Sequence, residues 1–247
     1  MSLLAALTRA YDRLPDAPPY GFSSERIGFC VVLNPDGSVA EVKDLRHSDK
    51  KRSPQVMFVP QAVKRTVGIA PNFLWDKTAY VLGVTAGEGK RTVEEHATFR
   101  ARHLEWLDGH NDEGLLALSR FLQGWTHEAF AAPRWPDDVR DQNLVFALAD
   151  EYRDRFLHDR PAARAAWQQI GASGASDPQI CLVSGGAGPV ARLHPSIKGV
   201  WGAQSSGASL VSFNLDAFTS YGHDQGDNAP VSEAATFAYT TALNRFL

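Results

Sequence analysis

Few tetrapeptides leave a chain as little choice as Asn34-Pro35-Asp36-Gly37. Proline presets φ near −65° and glycine supplies a positive φ, so the backbone has to reverse here. β-Rich runs at 27–33 and 39–45 flank it, and the spacing predicts a β-hairpin. Further strands are expected at 56–59, 78–82, 144–148, 180–183, 190–193 and 209–213. Apolar residues at helical spacing predict helices over 3–14, two more within 91–125 broken near Asp108-Gly109, one from Pro161 to about Ile170, and a last one capped by Ser232. Strict βαβ alternation is not seen. The expected class is α+β: antiparallel β hairpins and sheet with helical insertions, a mixed α/β lobe. The stretch 126–141, rich in Pro, Trp and charge, reads as a surface loop or as the boundary between two lobes.

Composition excludes several classes. With 44% hydrophobic and 21% charged residues, the 247-residue chain is neither disordered nor collagen-like, and its two cysteines make no disulfide scaffold. Cys30 and Cys181 each sit in an apolar run and are expected to be buried thiols. No apolar run reaches the ~18–20 residues of a membrane span. The apolar start of the chain lacks a basic leader and is interrupted by Arg9, Asp12 and Arg13, so a cytoplasmic protein without a membrane partner is expected.

Charge is unevenly spread. Between Lys43 and Arg65 stand seven basic residues (Lys43, Arg46, Lys50, Lys51, Arg52, Lys64, Arg65) against Asp44 and Asp49, an excess of five. The whole chain carries −3, so the other 224 residues carry −8. Concentrating one sign of charge in an acidic protein does nothing for solubility; the run is either a contact for a polyanion or a solvated loop.

Catalytic patterns fail one by one. Gly83–Thr92 resembles a phosphate-cradling loop, but Gly83 lies one position too far back and Arg91 takes the place of the magnesium-binding hydroxyl. It reads as a plain connection from a strand to a helix. His96, His103 and His110 share a helix face, but seven residues rise ~10.5 Å, too far for one metal ion. The pairs His158-Asp159 and His223-Asp224 match only two letters of a metal phosphohydrolase site. No Gly-x-Ser-x-Gly nucleophile elbow is present, and Gly202–Gly207 has the wrong spacing for one. That Gly/Ser loop, near Lys198, suits close approach to a phosphate backbone or equally a tight turn.

Several long blocks carry a resemblance. They are 63–83, 156–162, 191–195, 197–214 and 220–233, densest in Ile197-Lys198-Gly199-Val200-Trp201-Gly202-Ala203-Gln204-Ser205-Ser206-Gly207-Ala208-Ser209-Leu210-Val211-Ser212-Phe213-Asn214 and in 220–233. Together they resemble the N-terminal domain of the large subunit of the type I-C CRISPR surveillance complex, the Cascade assembly. The resemblance implies that the chain is the N-terminal part of a longer subunit whose C-terminal helical domain is absent, in keeping with the abrupt apolar end at Phe246-Leu247. It implies a non-catalytic subunit with no cofactor and no metal. Such a subunit reads the PAM on duplex target DNA, binds that duplex and the displaced non-target strand, and helps recruit a helicase-nuclease. It meets the guide-handle-binding subunit and the backbone subunits, and touches the CRISPR RNA only through the complex. Under this resemblance Lys50, Lys51, Arg52, Lys64 and Arg65 are phosphate contacts, Lys198, Ser205 and Ser206 hold phosphates nearby, and the amides of Asn72 and Gln204 read base edges. Asn72 equally suits the cap of a local turn. The alternatives are an assembly and docking domain without base readout and, last, a metal-dependent nuclease using the His-Asp pairs.

Overall fold

The computed structural model describes residues 2–15, 17–48, 50–63, 65, 68–131, 133–172, 178–204, 207–213 and 215–247. In chain order the elements are α1 (Leu3–Tyr11), β1 (Phe22–Ile27), β2 (Phe29–Leu33), β3 (Val39–Asp44), β4 (Gln55–Pro60), β5 (Trp75–Lys77), α2 (Thr78–Leu82), α3 (Thr92–Trp106), α4 (Glu113–Gly124), β6 (Asn143–Leu148), α5 (Pro161–Ala172), β7 (Gln179–Ile180), β8 (Ala187–Gly188) and α6 (Glu233–Phe246). The fold is α+β, as the sequence predicts. The chain divides into two compact units, Gly21–Ile170 and Met1–Tyr20 with Gly171–Leu247. The stretch 126–141 lies inside the first, where Trp135 and Val139 join the core.

The larger unit is organised by a four-stranded sheet in the order β3-β2-β6-β5. β2 and β6 run parallel, with Phe29 opposite Leu144 and Leu33 opposite Leu148. Both strands are nearly continuous apolar runs, the pattern of strands covered on both faces. Alternation divides their side chains between two clusters. Phe29, Val31, Leu33, Leu144, Phe146 and Leu148 face the residues of α2, α3, α4 and α5; Cys30, Val32, Val145 and Ala147 face Ile27, Val59 and Trp75. The expected hairpin is β2–β3, turned at Gly37 with φ of 85°. A Cβ on Gly37 would come within 2.6 Å of the Phe121 backbone nitrogen, so the bare glycine also lets the turn lie against α4. β1 leaves this sheet at Gly28 and pairs antiparallel with β4 in a second, two-stranded sheet.

Three sequence expectations are corrected. Residues 78–82 are not a strand but one helical turn, α2. Gly83, at φ of 70°, caps it by donating its N–H to the Thr78 carbonyl. The β-branched and aromatic character of the segment reflects burial of Thr78, Tyr80, Val81 and Leu82, and a left-handed glycine stop decides the local geometry. The 83–92 connection therefore joins two helices. Residues 209–213 form no strand: among the described residues there, pairing is limited to the single bridge Ile197–Ala208, and an unpaired run of backbone groups cannot hold a strand. The two strands expected at 180–183 and 190–193 shrink to the two-residue pair β7–β8, with Val190 bridged instead to Ser232.

In the smaller unit α1 packs on α6 through Leu7, Tyr239 and Ala242. Ser232 caps α6 by accepting from the Ala235 N–H, as expected. No helix among the described residues is long and apolar enough to cross a membrane.

His103 shows what the histidine stripe is for. The ring is fully buried between Phe99 and Phe73, Nδ1 donates to the Phe99 carbonyl at 2.8 Å, and Nε2 accepts the Leu74 N–H at 2.9 Å. Both nitrogens are spoken for in the neutral form, and burial pulls the pKa down to about 4. The unfolded imidazole binds its proton near pH 6.5, so stability is complete above that pH and is lost as the pH falls toward 4. A series of melts should show this decline between pH 6.5 and 4 at up to about 1.4 kcal/mol per pH unit for this group. His103→Gln should be less stable at pH 7 and flatter across that window; an unchanged pH profile would refute the assignment.

Candidate nucleic-acid interface

The basic segment separates into two populations. β3 is an edge strand of the four-stranded sheet, and the chain beyond it turns through 47–53 before entering β4. The His47 N–H donates to the Ser53 carbonyl at 2.9 Å and closes the base of that turn, while Lys50 and Lys51 stand exposed at its tip. Arg46 and Arg52 point the other way, into a pair of carboxylates. Arg46 donates to Asp44 at 2.7 Å and to Asp138 at 2.5 Å; Arg52 donates to Asp44 at 2.5 Å and to Asp138 at 3.1 Å. The Arg46 guanidinium also lies 4.5 Å over the ring of Phe29. Hydrogen bonding to Arg46 holds the Asp44 carboxyl down at about 2, so Asp44 stays ionised across the physiological range. Arg52 adopts φ of 46°, uncommon for a side-chain-bearing residue.

Arg65 is likewise committed to the fold. Its guanidinium donates to Asp76 and to the Ala70 carbonyl and covers the Tyr80 ring at 4.1 Å. Asp76 is 1% exposed and also accepts the Asn72 N–H at 2.9 Å. Burial raises its pKa, against the pull of Arg65 and the backbone donors. Asn72 is 4% exposed, and its Oδ1 accepts the Val63 N–H, nine residues earlier, at 2.9 Å. Lys43 lies 4.6 Å over the Tyr152 ring. Lys64 lies outside the described residues.

The Gly/Ser loop belongs to the smaller unit. Its backbone is held by Ile197 pairing with Ala208 and by the Lys198 N–H, which donates to Asn244 Oδ1 at 2.6 Å. Lys198 and Gln204 are exposed, and the Gln204 carbonyl accepts the Gly207 N–H at 2.9 Å. Ser205 and Ser206 lie outside the described residues. The loop also raises Trp201 to 99% exposure, and a second turn raises Tyr221 to 100%. Each precedes a glycine at φ near 79° or 78°, Gly202 and Gly222. An aromatic directly before such a glycine in a polar loop is the sequence signal that marks both. Asp138 and Asp76, the counter-ions that sort the basic run, carry no such signal, because they come from outside it.

The other candidates find ordinary places. His158 is a buried ring stacked on Phe156, with its pKa lowered to about 4 by burial, and its Nε2 stands 3.8 Å from Asp159. His223-Asp224 sits in an exposed turn of the other unit. Among the described residues no group of three or more His, Cys, Asp or Glu is placed to hold a metal ion. Both cysteines are buried, as expected, but differ in chemistry. Burial pushes the Cys30 thiol up, whereas at Cys181 hydrogen bonds from the side chains and N–H groups of Ser184 and Ser232 overcome burial and bring it down to about 6.

The family model for CRISPR-associated protein (Cas_Csd1) matches residues 7–247. The chain belongs to this family. A search among curated proteins returns no match. Membership in Cas_Csd1 bears out the resemblance read from the sequence blocks and makes the chain a subunit of a CRISPR Cascade complex. In this Cas_Csd1 chain the two populations of basic residues should respond differently to truncation. Arg65→Ala strands a buried carboxylate and should cost about 3 kcal/mol or more by denaturant melt. Asn72→Ala should cost about 1–3 kcal/mol through the orphaned Val63 N–H. Lys50→Ala/Lys51→Ala should change stability by less than about 0.5 kcal/mol. Equal losses in all three would refute the division.

Proposed function

We propose that this Cas_Csd1 chain is the part of a type I-C Cascade complex that engages duplex DNA beside the target. It reads the PAM, grips the duplex and the displaced strand, and helps recruit a helicase-nuclease that supplies the cleavage. The observation that carries the reading is the turn at 47–53. Two lysines project from a support cross-linked by Asp44 and Asp138, so positive charge is presented outward at fixed positions. Such charge yields affinity and salt dependence without sequence information. Base readout then falls to Gln204, an exposed residue of the Gly/Ser loop; Asn72, in the larger unit, accepts the Val63 N–H. Contacts with the guide-handle-binding and backbone subunits complete the role.

A second reading, an assembly and docking domain, draws on Ile180, Leu182, Leu193 and Leu215, each 59–68% exposed in the smaller unit. Apolar side chains this open suit burial by neighbouring subunits.

Reconstituted complexes carrying wild-type chain, Lys50→Ala/Lys51→Ala or Gln204→Ala should be titrated with labelled duplexes, with and without a candidate PAM, across a salt series. The double lysine variant should flatten the log K against log salt slope by about 2 while keeping PAM preference. Gln204→Ala should lose PAM preference and keep the slope. An unchanged slope together with retained preference would overturn the DNA reading in favour of assembly.

A further inference from the structure

The smaller unit contains a cavity of about 350 Å³, lined by Arg192, Phe213, Phe218, Thr219, Asp224, Gln225 and Asp227, together with Leu215. Its walls come from separate parts of the chain held in tight register. Gly226 is buried against the Ala191 backbone so closely that a Cβ there would collide with the Ala191 carbonyl oxygen. This contact places Gln225 and Asp227 next to Arg192. Thr219 donates to Asp224 at 3.3 Å, and between those two residues the chain makes a two-residue hairpin turn, Tyr221-Gly222, closed by Ser220 and His223. Phe213 and Phe218 meet edge to face at 6.1 Å.

Three features show that the cavity is arranged for an occupant. Gln225 Oε1 is buried with no hydrogen-bond partner among the described residues, an acceptor left wanting a donor. Gln225 and Tyr221 both hold positive φ, 47° and 52°, a conformation that costs free energy for a residue with a Cβ. A turn of this kind is normally Asn-Gly or Gly-Gly; here it carries a wholly exposed phenol ring at its tip, on the short segment that joins Thr219 and Asp224 of the cavity wall.

The chemistry of the lining selects among ligands. Two carboxylates against one guanidinium disfavour a phosphate. A cationic side chain would meet Arg192 as a like charge. What satisfies all of the lining is a flat ring that offers N–H donors to Asp224, Asp227 and Gln225, an acceptor to Arg192, and a face to Phe213 or Phe218. A nucleobase has these properties, and guanine presents N1–H and N2–H beside O6. We propose that this cavity receives one unpaired nucleobase, guanine preferred, from a single strand whose next base stacks on Tyr221. The inference rests on reading the chain as a nucleic-acid-binding subunit and narrows it to single-strand capture by a site in the smaller unit.

The test uses the full chain and fluorescein-labelled twelve-residue oligothymidine strands whose central position is dG, dC, dA, dT or abasic. Anisotropy titrations should rank dG tightest, about tenfold over the abasic strand. Asp227→Asn and Gln225→Ala should bring dG down to the abasic affinity while leaving the abasic strand unchanged. Tyr221→Ala should weaken all five strands alike. If either cavity variant melts early, deoxyguanosine monophosphate added to the wild-type chain should slow amide exchange over 225–228. Equal affinity for all five strands, dG preference surviving in both variants, absence of that protection, or displacement of the strand by an oligoarginine peptide seated in the cavity would each overturn the proposal. Equal affinity with the duplex salt slope intact would leave the wider DNA reading standing. Failure to bind any strand or duplex would remove both.

Discussion

β2 and β6 lie more than a hundred residues apart in the chain, and the ladder of parallel backbone hydrogen bonds between them holds the larger unit together. Both strands are buried on both faces, so each amide must find its partner within the sheet. Once they are paired, β3 and β5 have fixed places at the two edges. β3 then delivers Asp44 and Arg46 to one rim, β5 delivers Asp76 to the other, and Asp138 arrives just ahead of β6. Loss of this pairing would scatter every ion pair that sorts the basic run.

Much of this was legible where local chemistry decides the outcome. The Asn34–Gly37 turn, the α3–α4 break and the Ser232 cap each depend on residues adjacent in sequence, and each stands where the sequence places it. The parallel partner of β2 was not legible, since nothing within either apolar run specifies the direction of its neighbour. Thr78–Leu82 misled because β-branched and aromatic residues report burial as readily as strand; only the glycine after them separates the two. The site followed the same division. Lys50 and Lys51 were visible as charge, but which of their neighbours are structural depended on Asp76 and Asp138, carboxylates that only tertiary packing brings alongside.

The division also follows the difference between the two basic side chains. Arg46 and Arg52 each fork onto the carboxylates of Asp44 and Asp138, Arg65 spans the Asp76 carboxylate and the Ala70 carbonyl, and Arg46 and Arg65 cover an aromatic ring as well. A planar guanidinium suits this role, whereas the compact, strongly hydrated ammonium of Lys50 or Lys51 is cheaper to leave in water. Arginine here ties the segment to the fold, and lysine supplies the charge that faces outward.

Gly28 joins strands of two different sheets. Its N–H donates to the Asn143 carbonyl and its carbonyl accepts the Leu45 N–H, so one residue is clamped between β6 and the start of the lysine turn. A force applied at Lys50 therefore has a short route inward: through Leu45 to Gly28, and from there to the buried β2–β6 ladder. The turn behaves as a bracket bolted to a beam, and a load hung on it is borne by the interior.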